Sequence, residues 1–378
     1  MIELDNIETF IFFVILMFFL MSYVQTRDFR KKSDNIFNVK DVFVILIYSV
    51  LIGFRWTDND LVLYADGIKQ IFKHGLSAET EGTRELFYQA VIWCMMKMQC
   101  SISWYFFVIA FGHISLLLLL IRRYFRKEAC YVIFFYFTSL QFVISLNGMR
   151  QMFAILFLLN IVCFIQQKRP FKYVIGVLVA TCLHSSAVIF MPLYFVINRI
   201  FLKDNRYALL ILYSLIFVSS NFIFKGIFSN LSNYVDYLSA FSDKASYLSG
   251  ETSALFIDFD KSNSLGLGNI FNYLTTFYIV FYHEKFLNGK LINRVFFNLA
   301  YIGCCLTCIS GNSIFLMRVT MYFSICIIFP LAVITMNLIR ERKLVLPIFI
   351  GVFYFAWFFN CVYKETAGCS PYKMFFMF

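Results

Sequence analysis

The 378 residues are 61% hydrophobic and only 15% charged, with a mean hydropathy of +0.74; soluble domains have roughly 45–50% and about 25%. A water-soluble globular protein is excluded, and an integral membrane protein remains. The net charge of +11 lies in short clusters between apolar runs, which marks the flanks of membrane spans and not a nucleic-acid surface.

The first apolar run, about 9–25, follows Glu3, Asp5 and Glu8 where a cleaved signal peptide would carry basic residues, and no small-residue cleavage site follows it. It is read as a retained span. Further runs lie at 41–54, 102–121, 129–146, 151–166, 171–183, 187–201, 207–224, 269–283, 295–311, 314–337 and 344–361. They predict an all-α polytopic protein of about twelve transmembrane helices forming one membrane domain over 1–378. Several runs fall short of the roughly 20 residues of an untilted crossing.

Six alternate connections, with basic clusters beginning at Arg27, Arg122, Lys168, Arg199, Lys285 and Arg340, hold 21 of the 33 basic residues but 7 of the 22 acidic ones. Basic residues favour the cytoplasmic side. Both chain ends are therefore expected outside the plasma membrane. Two long connections share that outer side. Residues 55–100 contain an amphipathic stretch, with Leu61, Tyr64, Ile68, Ile71 and Phe72 at helical spacing. Residues 225–268 are rich in Ser, Asn, Asp and Tyr, and Tyr234, Tyr237 and Asp236 have the chemistry to pack on and bond sugars. Most of the eleven cysteines lie inside apolar runs, where Cys behaves as a small buried hydrophobe, and neither a metal nor a cofactor is expected. Cys94, Cys100 and Cys369 lie on the outer side, where pairing is open.

Arg55, Arg84, Arg150 and Arg318 all fall on this outer side, at or just beyond span ends. Arginine costs roughly 2.5–3.5 kcal/mol at the centre of a membrane helix, so such residues have partners and purposes. Guanidinium binds phosphate bidentately, so an anionic, lipid-linked substrate is the expected ligand. Arg55 precedes Asp58 and Asp60, and Arg84 adjoins Glu85. Arg150 opens a span, where a helix N-terminus also favours an anion. His184 sits in an outer turn as His-Ser-Ser-Ala; Asp60, Glu85 and His184 are the candidate bases for a hydroxyl. Each motif also has a plain reading as an interfacial anchor, a snorkelling cation or a capping residue.

Together the motifs resemble the EpsG/Wzy-like family of bacterial membrane polysaccharide polymerases. The ordered set is Arg55 with Asp60 and Tyr64, Arg84-Glu85-Leu86-Phe87, Arg150-Gln151 with Ala154, His184-Ser185-Ser186-Ala187, Arg318 with Tyr322, and Ser370-Pro371-Tyr372. The chain departs from the family pattern in lacking a Gly before Asp60. The resemblance implies glycosyl transfer between undecaprenyl-pyrophosphate-linked oligosaccharide repeat units at the outer face of the bacterial plasma membrane. A GT-C-like architecture is compatible with it. It also implies membrane lipid around the chain, and a flippase and a chain-length regulator as candidate partners. Three other readings stay open: a lipid-linked glycan ligase, a transporter of the lipid-linked oligosaccharide, and an acyltransferase using His113 within a span.

Overall fold

The computed structural model describes residues 2–26, 29, 37–56, 60–74, 85–197, 205–220, 267–287, 291–310, 314–365 and 369–374. It divides into two units, residues 1–196 with 335–378, and residues 197–334. Nearly all of the connection expected over 225–268 lies outside the described residues.

The first unit begins with β1 (Ile2–Leu4) and α1 (Asn6–Gln25). A capping box starts α1: the Asp5 side chain accepts from the Glu8 amide, and Glu8 accepts from the Asp5 amide. Asn38 and Asp41 repeat the device at the start of α2 (Val39–Gly53). β2 (Arg55–Trp56), α3 (Asp60–His74), α4 (Leu86–Met98) and α5 (Ser103–Tyr124) follow. A Cβ on Gly53 would stand 2.5 Å from the Phe107 Cα, so glycine there lets the end of α2 lie against the α5 backbone.

The amphipathic spacing in the first long connection is realised in α3. Its Ile68 and Ile71 are buried against Tyr88 and Ile92 of α4 and Tyr105 and Ile109 of α5. Ile68 and Ile71 thus pack within the protein. Burying each isoleucine is worth roughly 1.5–3 kcal/mol relative to exposure to water, which holds α3 over the ends of α4 and α5.

Next come α6 (Ala129–Thr138), α7 (Gln141–Asn147), α8 (Met149–Ile161), α9 (Cys163–Gln166) and α10 (Pro170–Leu183). A 3₁₀ turn (Ser185–Phe190) and α11 (Leu193–Val196) close this stretch. The second unit holds α12 (Arg206–Ser220), α13 (Leu267–Phe281), α14 (His283–Leu287), α15 (Leu291–Ser310) and α16 (Ile314–Ser324). α17 (Ile328–Arg340) carries the chain back to the first unit, where α18 (Val345–Tyr363) and β3 (Tyr372–Met374) end it.

The protein is a helical, polytopic membrane protein. Among the described residues six helical stretches are long and apolar enough to cross a membrane, or seven if α6 and α7, bent by 59°, form one broken span. The expectation of about twelve exceeds this number: other apolar runs form shorter helices, and those at 187–201 and 207–224 extend beyond the described residues. The run at 129–146 breaks where Leu140 takes a left-handed φ of 65°. The run at 187–201 begins in the 3₁₀ turn. The short strands add a small departure from an all-α chain: β3 pairs antiparallel with both β1 and β2, giving the order β1–β3–β2.

Candidate active site at the start of helix α8

Four of the expected residues meet around the α7–α8 junction. Glu85 is the residue before α4, with extended backbone (φ −77°, ψ 129°), and its side chain makes no cap bond to that helix. Its carboxylate turns instead to two partners. Oε2 accepts from Arg150 Nη1 at 2.7 Å, and Oε1 lies 3.1 Å from His184 Nδ1. Burial alone would raise the Glu85 pKa; the His184 hydrogen bond and the Arg150 charge outweigh it and hold the carboxyl below the ordinary glutamate range.

Arg150 lies in the first turn of α8, after Gly148. A cation is disfavoured beside the positive end of a helix, and the Glu85 carboxylate offsets that cost. The Arg150 guanidinium lies over the Tyr64 ring of α3 at 4.5 Å and near the Tyr88 ring of α4 at 5.4 Å. His184 joins α10 to the 3₁₀ turn in extended conformation (φ −159°, ψ 121°), its amide bonded to Ala180 and its carbonyl to the Ala187 amide. Its side chain keeps 20% exposure, against 11% for Glu85 and 9% for Arg150. An anionic Glu85 makes Nδ1 the protonated nitrogen, so in a neutral ring Nε2 carries the free lone pair.

Arg55 stands behind this cluster and is buried. Nη1 donates to the Ile52 carbonyl at 2.9 Å and Nη2 to the Leu146 carbonyl. These carbonyls lie in the last turns of α2 and α7, where a cation is favoured. Burial pushes the Arg55 pKa down, while Tyr372 and Tyr48 oppose that shift.

The EpsG family pattern matches residues 38–374, nearly the whole chain. The chain belongs to the EpsG family. EpsG is a Wzy-like polysaccharide polymerase family, and a glycosyltransferase-like polymerase activity follows from membership. No curated protein and no solved structure matches the chain.

In this EpsG-family chain, Asp60 opens α3, but its side chain and the whole of Arg84 lie outside the described residues. Arg318 is exposed in α16 of the second unit, with Tyr322 buried four residues on. His113 is buried in α5, its Nε2 2.6 Å from the Tyr136 hydroxyl. Cys94, Cys100 and Cys369 are free thiols. Among the described residues no group of three or more His, Cys, Asp or Glu side chains is placed to hold a metal.

A second buried charge cluster escapes the sequence reading. Asp41 in α2 takes both Arg122 nitrogens of α5, with Nη1 to Oδ2 at 2.8 Å, and also accepts from the Tyr23 hydroxyl of α1. Arg122 lies over the Phe29 ring at 4.6 Å. Arg122 is in the last turn of α5, whereas Tyr105, beside the Arg150 cluster, is in its first. Along α5 the two are separated by roughly 26 Å at 1.5 Å per residue. The signal in the sequence was the Asn38-x-x-Asp41 capping pattern facing a span that ends in arginine.

Proposed function

We propose that this protein polymerises undecaprenyl-pyrophosphate-linked oligosaccharide repeat units at the outer face of the bacterial plasma membrane. The supporting observation is Glu85 bridging Arg150 and His184, three motif residues far apart in sequence, in a chain of this polymerase family. His184 is the base. The hydroxyl of the acceptor sugar gives its proton to Nε2 while its oxygen attacks the anomeric carbon of the donor. The bond from that carbon to the pyrophosphate oxygen breaks, and undecaprenyl pyrophosphate leaves with the bonding pair. One glycosidic bond forms, one glycosyl–phosphate bond breaks, and the proton on His184 passes to water.

The leaving group is a good one, so the remaining task is to neutralise its growing charge. Arg84, which adjoins Glu85 in the sequence, is assigned that role. Asp60, four residues before Tyr64 on α3, is the alternative base. The 225–268 connection contacts the glycan, and a flippase and a chain-length regulator act beside the protein.

Disrupting the protein in cells tests the reading. Single repeat units should remain on lipid or cap a surface acceptor, with long chains lost. Accumulation of units on the cytoplasmic side alone would assign transport instead. His184→Ala should abolish long chains and Asp60→Asn should shorten them; the reverse result moves the base to Asp60.

A further inference from the structure

Arg150 carries the charge expected of a pyrophosphate ligand, yet its contacts face inward. Nη1 is on Glu85, one guanidinium face lies on Tyr64, and Tyr88 approaches within 5.4 Å. The Tyr88 hydroxyl, 3.4 Å away, donates to the Arg150 carbonyl, so α4 grips both side chain and backbone. The side chain is 9% exposed.

Glu85 uses one oxygen for Arg150 and the other for His184. The last torsion of a glutamate is broad and roughly two-fold, so a carboxylate bonded to the imidazole alone is free to swing. A second partner on the other oxygen pins it. We propose that Arg150 is a positioning residue: it fixes the Glu85 carboxylate, which in turn holds His184 with Nδ1 protonated and Nε2 open to the acceptor hydroxyl. This rests on His184 being the base. Among the described residues the charged and titratable groups around the pair are Arg150 of α8, Tyr64 of α3, Tyr88 of α4 and Tyr105 of α5.

The experiment uses the purified full chain with lipid-linked repeat units extracted from cells that lack this protein. Polymer formation is followed against pH and donor concentration, and the His184 ring nitrogens are observed by ¹⁵N NMR. Wild type should show the Nδ1-protonated tautomer. Arg150→Met should mix the tautomers, lower kcat on the order of 10²-fold and leave KM for the lipid-linked donor unchanged. It should also move the acid limb of the pH profile upward, because the Glu85 charge, no longer balanced, favours the imidazolium. Glu85→Gln removes that charge and should move the limb downward, with a comparable or larger fall in kcat. Arg150→Lys keeps the charge without the planar fork; it should fold as wild type and show the same mixed tautomers with a smaller kcat loss. A raised KM with kcat and tautomer unchanged would make Arg150 a donor ligand and overturn the proposal. Full activity in His184→Ala would instead remove the base, while the tautomer measurement still decides what Arg150 does.

Discussion

A buried guanidinium can brace its own protein, and Arg55 is placed to do so. It joins the last turns of two helices through their carbonyls. Lysine keeps the charge but bonds one carbonyl at a time, losing a charge-assisted bond worth about 1.5–3 kcal/mol. Arg55→Lys should therefore lower the melting temperature in detergent, with activity falling in step and donor KM unchanged. A normal melting temperature with a raised KM would place Arg55 on the donor. Lys69→Ala, which breaks an exposed ion pair with Asp66 on α3, should be silent. Arg150, Glu85 and His184 were each legible in the sequence as polar residues at span edges. Their contact was not, because Glu85 lies 65 and 99 residues from its partners and no local periodicity encodes such a pairing.

Helix α2 depends on a single missing methyl group. Alanine at Gly53 would press its Cβ into the Phe107 backbone, which cannot rotate away as a side chain would. Overpacking of this kind typically costs about 1–3 kcal/mol, and the strain falls two residues from Arg55. Gly53→Ala should lower the melting temperature and reduce polymer length. Gly351→Ala in α18, whose Cβ would meet only Phe134 at 3.9 Å, should leave both unchanged. At this scale the sequence is a good guide to the existence of span-length apolar helices: α1, α5, α15 and α18 fall where expected, and α3 was legible from the helical spacing of Ile68 and Ile71. It is a poor guide inside continuous apolar runs. Nothing in the run at 129–146 marks the left-handed turn at Leu140, and strands of two or three residues carry too short a pattern to be read.

The charge pattern of the whole chain makes a prediction that thiol labelling can check. In a cysteine-free background, residues changed to cysteine at Ser33 and Arg342 should be shielded from a membrane-impermeant reagent in intact cells, and Ser253→Cys should react. Opposite labelling would move the proposed site to the cytoplasmic face. The three-stranded sheet limits the alternatives independently. Backbone hydrogen bonds join β1 and β2 to β3, and such bonds cannot reach across about 30 Å of hydrocarbon. Residues 2–4, 55–56 and 372–374 therefore share one side of the bilayer. The chain must cross an even number of times between β1 and β3, and again between β1 and β2. If α1 crosses, α2 has to return, although its 15 residues span only roughly 22 Å as helix. An odd total is excluded, so the seven spans reached by counting the bent pair are incomplete until α2 or another of the short helices is added.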